Sequence, residues 1–174
     1  LMDLEGEKAR KFEEEFKRAR EILEEMAGLA VEREELPLDL LAALAIGKLA
    51  GEVMLSYERL EPTEGVTRLI KFHLNDLSVL YLPWARRKGA LKWMVDDLLK
   101  LWAPLTPFTS ERIWRKLRPG ARSIFLEPAP LGTVCDWEGE EIWRGLVEIK
   151  LKMDRIGGRR WKVIVPSHKL LEGL

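Results

Sequence analysis

The sequence predicts an all-α helical bundle with a small C-terminal helix and strand appendage. Apolar residues recur at spacings of three and four through most of the 174 residues, and prolines and glycines punctuate them into segments. Alternation of period two is confined to one stretch near the C-terminus.

The first segment, residues 3–26, is dense in Glu, Lys and Arg and carries Phe12, Phe16, Ala19, Ile22, Leu23 and Met26 as a narrow apolar stripe, with Gly28 near its end. A second helix starts with Pro37 in its first turn and runs to about Leu60. Its small residues, among them Ala42, Ala45, Gly47 and Ala50, permit close packing. The third opens at Pro62 and places Val66, Leu69, Ile70, His73, Leu74, Leu77 and Tyr81 on one face; Pro83 is expected to end or kink it. After Lys88-Gly89 a fourth helix carries Leu91, Met94, Val95, Leu98, Leu99 and Trp102, and stops before Pro104 because the residue preceding a proline avoids the helical region. Thr106-Pro107 reads as an N-cap and first position of a short helix through Ile113, Trp114 and Leu117, closed by Pro119-Gly120. Residues 123–137 read as an extended connector, residues 138–156 as a last helix, and residues 160–165 as one short strand. The expected organisation is an acidic N-terminal helix over 1–35, the bundle over 36–122, and the appendage over 123–174.

Composition narrows the function. Cys135 is the only cysteine and His73 and His168 are the only histidines, so neither an internal disulfide nor a structural zinc set can be assembled, and a reducing, cytoplasmic location is expected. The longest apolar run, residues 36–50, is broken by Asp39 and Lys48 and is too short for a membrane span. Formal net charge is zero, yet the charges are segregated. Residues 1–35 hold 12 acidic and 7 basic side chains, whereas residues 68–122 hold 12 basic side chains against Asp76, Asp96, Asp97 and Glu111. Such a basic segment attracts phosphates, unless the acidic first helix neutralises it on folding.

Reactive chemistry is missing from the pattern. Gly157-Gly158 stands between a helix and a strand, the reverse of a phosphate-binding loop, and no Gly-x-Ser-x-Gly elbow occurs. Cys135 lies among Asp136, Glu138 and Glu140, which disfavour a thiolate. His73 on an apolar helix face reads as a hydrogen-bonded core histidine. No catalytic residue, metal or cofactor is expected, and a binding role is favoured.

Three stretches resemble a known family. Phe72-His-Leu-Asn-Asp-Leu-Ser-Val-Leu-Tyr81 followed by Arg86-Arg87 is similar to the Asp/Glu-Leu-Ser-x-x-Tyr-x4-Arg-Arg segment of isoleucyl-tRNA synthetases. Leu98-Leu-Lys-Leu-Trp-Ala-Pro-Leu-Thr-Pro-Phe-Thr-Ser-Glu-Arg-Ile-Trp114 resembles the Ala-Pro-x-x-Pro-Phe-x-x-Glu-x-x-Trp helix of the isoleucyl, valyl and leucyl enzymes, and Ser123-Ile-Phe-Leu-Glu-Pro-Ala-Pro130 resembles their Ser-Val-His-Leu-x-x-Trp-Pro connector. The resemblance is to the anticodon-binding helical bundle of class I aminoacyl-tRNA synthetases, and it implies a module that binds the tRNA anticodon stem and loop. The ATP-binding signatures of those enzymes are absent, so no catalysis by this chain is expected. The implied partners are tRNA and, for a piece of a synthetase, its catalytic chain.

Arginine and lysine contact phosphates, while exposed aromatic faces stack on splayed bases. The candidate RNA-binding residues are Trp84, Arg86, Arg87 and Lys88; Arg115, Lys116 and Arg118; and Arg159, Arg160, Trp161 and Lys162. Trp102 and Trp114 sit at apolar helical positions and are expected in the core. Ser78 and Tyr81 are expected to make structural hydrogen bonds inside the bundle, and residues 159–162 read equally well as a charged edge strand. A competing reading keeps the bundle as a protein-interaction module that no longer binds RNA, with the acidic first helix as its partner surface.

Overall fold

The structure, a computed structural model, describes residues 2–130 and 137–156. It is all-α in architecture, as expected. Helix α1 (Met2–Gly28) leads through a two-residue strand, β1 (Ala30–Val31), into α2 (Pro37–Glu58) and then α3 (Pro62–Lys71). A π-helical stretch, Phe72–Tyr81, joins α3 without a break to α4 (Leu82–Lys88). After β2 (Ala90–Leu91) come α5 (Lys92–Trp102), α6 (Pro107–Leu117), a 3-10 turn (Ile124–Leu126) and α7 (Trp137–Ile156).

The helices share one core. Leu23 and Met26 of α1, Ile46 of α2, Leu69 of α3, Leu77 and Tyr81 of the π stretch, Leu98 and Trp102 of α5 and Trp143 of α7 are all buried in a single cluster. Phe16 of α1 meets Trp102 edge to face, ring centroids 5.3 Å apart, so the acidic first helix packs into the bundle core. Trp102 and Trp114 are core residues, as their spacing predicts.

Pro83 does not end its helix. The chain stays helical from Pro62 to Lys88, and the proline falls where the π register gives way to the α register. The Leu82 amide donates to the Leu77 carbonyl five residues back, so the missing N–H of Pro83 falls in a turn that is already changing partners. That continuity sets the direction of Arg86 and Arg87.

The β1 and β2 pair was not expected. Ala30 and Val31 pair in parallel with Ala90 and Leu91, joining the exit of α1 to the exit of α4. Gly89 makes this possible: its φ is +82°, and a Cβ there would stand 2.3 Å from Val31 Cγ2. Connector 123–137 is not extended throughout, because Ser123 caps the 3-10 turn by accepting from the Phe125 amide. The strand expected over 160–165 lies outside the described residues. Thr106 occupies the N-cap of α6, but its hydroxyl turns to the Trp102 carbonyl and to Ser110 Oγ instead of capping.

Candidate nucleic-acid interface

Arg33, in the loop between β1 and α2, organises the end of α4. Its guanidinium grips the buried Asp39 with both Nη atoms, at 2.7 and 3.0 Å, and also donates to the carbonyls of Lys88, Gly89 and Glu34. All five of its N–H donors are therefore engaged. Asp39 also accepts from Tyr81 Oη at 2.6 Å and from the Leu36 amide at 2.8 Å. Burial, with the Asp39 carboxylate close by, pushes the Tyr81 hydroxyl well above its ordinary pKa, so it stays a donor. Ser78 donates to the Leu74 carbonyl, so both residues of the Ser-x-x-Tyr motif serve the bundle interior.

On this frame Trp84 is half-buried. The Arg33 guanidinium lies 4.8 Å from its ring centroid and the Tyr81 ring 5.4 Å away, so Trp84 is partly covered by its own neighbours. Arg86 makes a two-point contact with Glu25 of α1, at 2.6 and 3.1 Å, and that bond lowers the pKa of the Glu25 carboxyl. Arg87 and Lys88 are exposed and form no ion pair with a described residue.

Helix α6 reaches the same region. Arg112 Nη2 lies 3.7 Å from Glu24, the neighbour of the glutamate that holds Arg86. Arg115 is tied along its own helix to Glu111 at 2.7 Å, and Lys116 is exposed and unpaired among the described residues. Arg118 bonds the buried Asp96, with Nε 2.9 Å from Oδ2, and lies 5.9 Å from the Trp114 ring. Lys92 holds Glu32 at 3.1 Å. The two basic segments thus converge around the last turns of α1 and the loop after it.

Convergence divides the candidates. Arg86, Arg115 and Arg118 are bound to carboxylates, and the acidic first helix does neutralise part of the basic segment. Arg87, Lys88 and Lys116 are exposed and form no ion pair with a described residue. Residues 159–162 lie outside the described residues. Sequence reasoning missed Arg33: it sits in the run Glu32-Arg-Glu-Glu35, which resembles a solvated face, and its partners at 88 and 89 are remote in sequence.

His73 belongs to the core and not to any surface. It is fully buried, and Trp102 Nε1 donates to its Nε2 at 3.1 Å. An indole can only donate, so Nε2 is bare and Nδ1–H donates to the Leu69 carbonyl at 2.9 Å. No group of three or more metal-ligating side chains occurs among the described residues, and no helix among them is long and apolar enough to cross a membrane.

These features define a helical-bundle domain in which Arg86 of α4 and Arg112 of α6 meet adjacent glutamates of α1. Residues 45–159, about two thirds of the chain, match the model of the anticodon-binding domain of tRNA ligase, and the chain belongs to that family. Curated relatives include an isoleucine–tRNA ligase of Nitrosomonas europaea, 34% identical over 40% of this chain and 9% of that protein. Those of Streptomyces coelicolor and Picrophilus torridus are 37% and 30% identical, over 39% and 36% of this chain. The matches cover 8–9% of the length of these ligases. No solved structure is a significant match.

Proposed function

We propose that the chain binds the anticodon stem and loop of tRNA through the end of the bundle where α4 and α6 meet α1, and does so as a module of, or a relative of, an isoleucyl-type synthetase. The observation that carries this reading is the convergence of Arg86 and Arg112 on adjacent glutamates, 25 and 24. It brings α4 and α6, the helices that carry Arg87, Lys88 and Lys116, to the same turn of α1, in a domain whose family is defined by anticodon binding. Arg87, Lys88 and Lys116 supply the phosphate contacts, Arg33 and Asp39 hold α4 in place, and Trp84 lies beside the cationic end. The activity expected is binding alone, with amino-acid activation belonging to a catalytic chain or domain.

Titration with total tRNA and with a random single-stranded RNA at about 50 and 200 mM salt tests this. Tighter binding to tRNA that weakens by orders of magnitude at the higher salt supports it. No binding at the lower salt overturns it.

A second reading, a protein-interaction module, is favoured by one corner of the bundle. Glu111 of α6 ties down Ser123 Oγ and the Ile124 amide, both at 3.0 Å. One turn earlier on the same face stands Phe108, 90% exposed, and Phe125 and Leu126 beside the tie are 54% and 70% exposed. Capture of a synthetase body by a chain that ignores tRNA would select this reading.

A further inference from the structure

The arginine–carboxylate pairs around α4 and α6 fall into two kinds. Asp39 under Arg33 and Asp96 under Arg118 are buried, and a buried carboxylate is costly to leave without its cation. Arg115 is exposed, but its partner Glu111 is also held by Ser123 Oγ and the Ile124 amide. Glu24 and Glu25 differ. Their side chains, and those of Arg112 and Arg86 that they meet, are each at least 40% exposed.

Surface pairs of this kind contribute little to stability, because water screens both charges. They can open without disturbing the fold: Leu23 and Met26, on either side of the two glutamates, keep the α1 backbone in the core while the carboxylates swing away. Glu25 has no hydrogen-bond partner but Arg86 among the described residues. Glu24 is held more loosely still, 3.7 Å from Arg112 and 3.8 Å from Arg20, beyond the length of a hydrogen bond to either. Arg86 presents Nε and Nη2 to the two oxygens of Glu25, and the same fork fits two oxygens of a phosphate.

We propose that Glu24 and Glu25 are an intramolecular competitor of RNA: they occupy Arg112 and Arg86 in the free protein, and phosphates of the bound strand replace them. The inference rests on the tRNA-binding reading and adds Arg86 and Arg112 to its phosphate contacts. In the exchange each guanidinium keeps an anionic partner and the released carboxylate returns to water. A lone phosphate competes poorly with a carboxylate tethered beside its arginine, whereas a strand already anchored elsewhere on the protein brings its next phosphates at high effective concentration. The pair therefore selects polyanions over single phosphates.

In the full chain, Glu25→Gln is expected to raise tRNA affinity at about 50 mM salt several-fold and to steepen the slope of log affinity against log salt by up to about one. The urea midpoint should barely move, and adding Glu24→Gln should extend the gain. Removing a negative charge near RNA raises affinity by itself, so the deciding comparison is made in Arg86→Ala, where the gain from Glu25→Gln should disappear. A gain of the same size with and without Arg86 overturns the exchange. The Arg86 Nε–H resonance in nitrogen-15-labelled protein, assigned by its loss in Arg86→Lys, should shift when tRNA is added to the parent. A parent that binds tRNA with this resonance unmoved, or with the same affinity as Glu25→Gln, overturns the inference and leaves the tRNA-binding reading standing. Failure of both the parent and the double variant to bind tRNA overturns the two together.

Discussion

The indole of Trp102 donates to Nε2 of His73 across 3.1 Å, and that one bond settles the imidazole's protonation. With Nδ1–H turned to Leu69 and both rings fully buried, a second proton has no acceptor and no water to stabilise it. Burial lowers the pKa of His73 from 6.5 to about 4, against the weaker opposing effect of the Leu69 carbonyl.

A depressed histidine pKa means that the unfolded chain binds a proton the folded chain refuses. The contribution of neutral His73 is complete above pH 6.5 and is lost as pH falls toward 4. Between pH 6.5 and 5, before most carboxylates titrate, stability is expected to drop by about 2 kcal/mol. Urea denaturation across this window measures it. In His73→Asn the slope should largely vanish, and equal slopes in the two proteins would refute the assignment.

Asp39 accepts four hydrogen bonds, from Arg33, Tyr81 and the Leu36 amide, and it is fully buried. Asp39→Ala leaves Arg33, Tyr81 Oη and the Leu36 amide without their common acceptor, a loss of about 3–5 kcal/mol. Tyr81→Phe removes one bond to a charged group and should cost about 2 kcal/mol. The α4 end depends on the same residue through Arg33, so Asp39→Ala should also speed amide exchange at Ala90, whose N–H bonds the Leu29 carbonyl. Unchanged exchange there would mean that the β1 and β2 pair holds α4 without Arg33.

Leu60 is the residue of α2's exit that local chemistry would not choose. The Glu61 amide donates to the Ser56 carbonyl and the Leu60 amide to the Tyr57 carbonyl, the two bonds of a Schellman ending. Its left-handed position, normally glycine, is filled by Leu60 at φ +59°, with 87% of the residue exposed. Leu60→Gly removes the strain and loses almost no packing, while adding some freedom to the unfolded chain. A net gain of up to about 1 kcal/mol is expected, read as a higher urea midpoint with an unchanged slope. A lower midpoint would show that the exposed leucine packs on something.

Legibility followed the range of the interactions. The helices of residues 3–26, 37–60 and 107–117 announced themselves because apolar period, proline starts and glycine stops are local signals. Pro83 misled for the same reason: its local rule forbids helix, while a π stretch ten residues long, fixed by tertiary packing of Phe72, His73, Leu77 and Tyr81, absorbs it. The β1 and β2 pair joins two-residue strands sixty residues apart, too short to carry any pattern. At the site, clustered arginines were visible, but their division into bound and free was not. Glu24 and Glu25 lie in a helix whose sequence reads simply as acidic, and only folding brings them to Arg112 and Arg86.

That division yields a contrast between two arginines of the same motif-bearing region. Arg118 is committed to the structure: Asp96 is almost fully buried, and its Oδ1 has no hydrogen-bond partner among the described residues. Arg118→Ala strands this carboxylate and should destabilise the fold by about 1–3 kcal/mol, with the salt dependence of tRNA binding preserved in the folded fraction. Arg87 is exposed and unpaired among the described residues, so Arg87→Ala should leave the urea midpoint within about 0.5 kcal/mol of the parent. Removing one phosphate-binding cation from the α4 end lowers the slope of log affinity against log salt by about one. Measuring both midpoints and both salt slopes separates the roles. Arg118→Ala flattening the slope at full stability, with Arg87→Ala doing neither, would move the RNA-binding surface from α4 to the far end of α6.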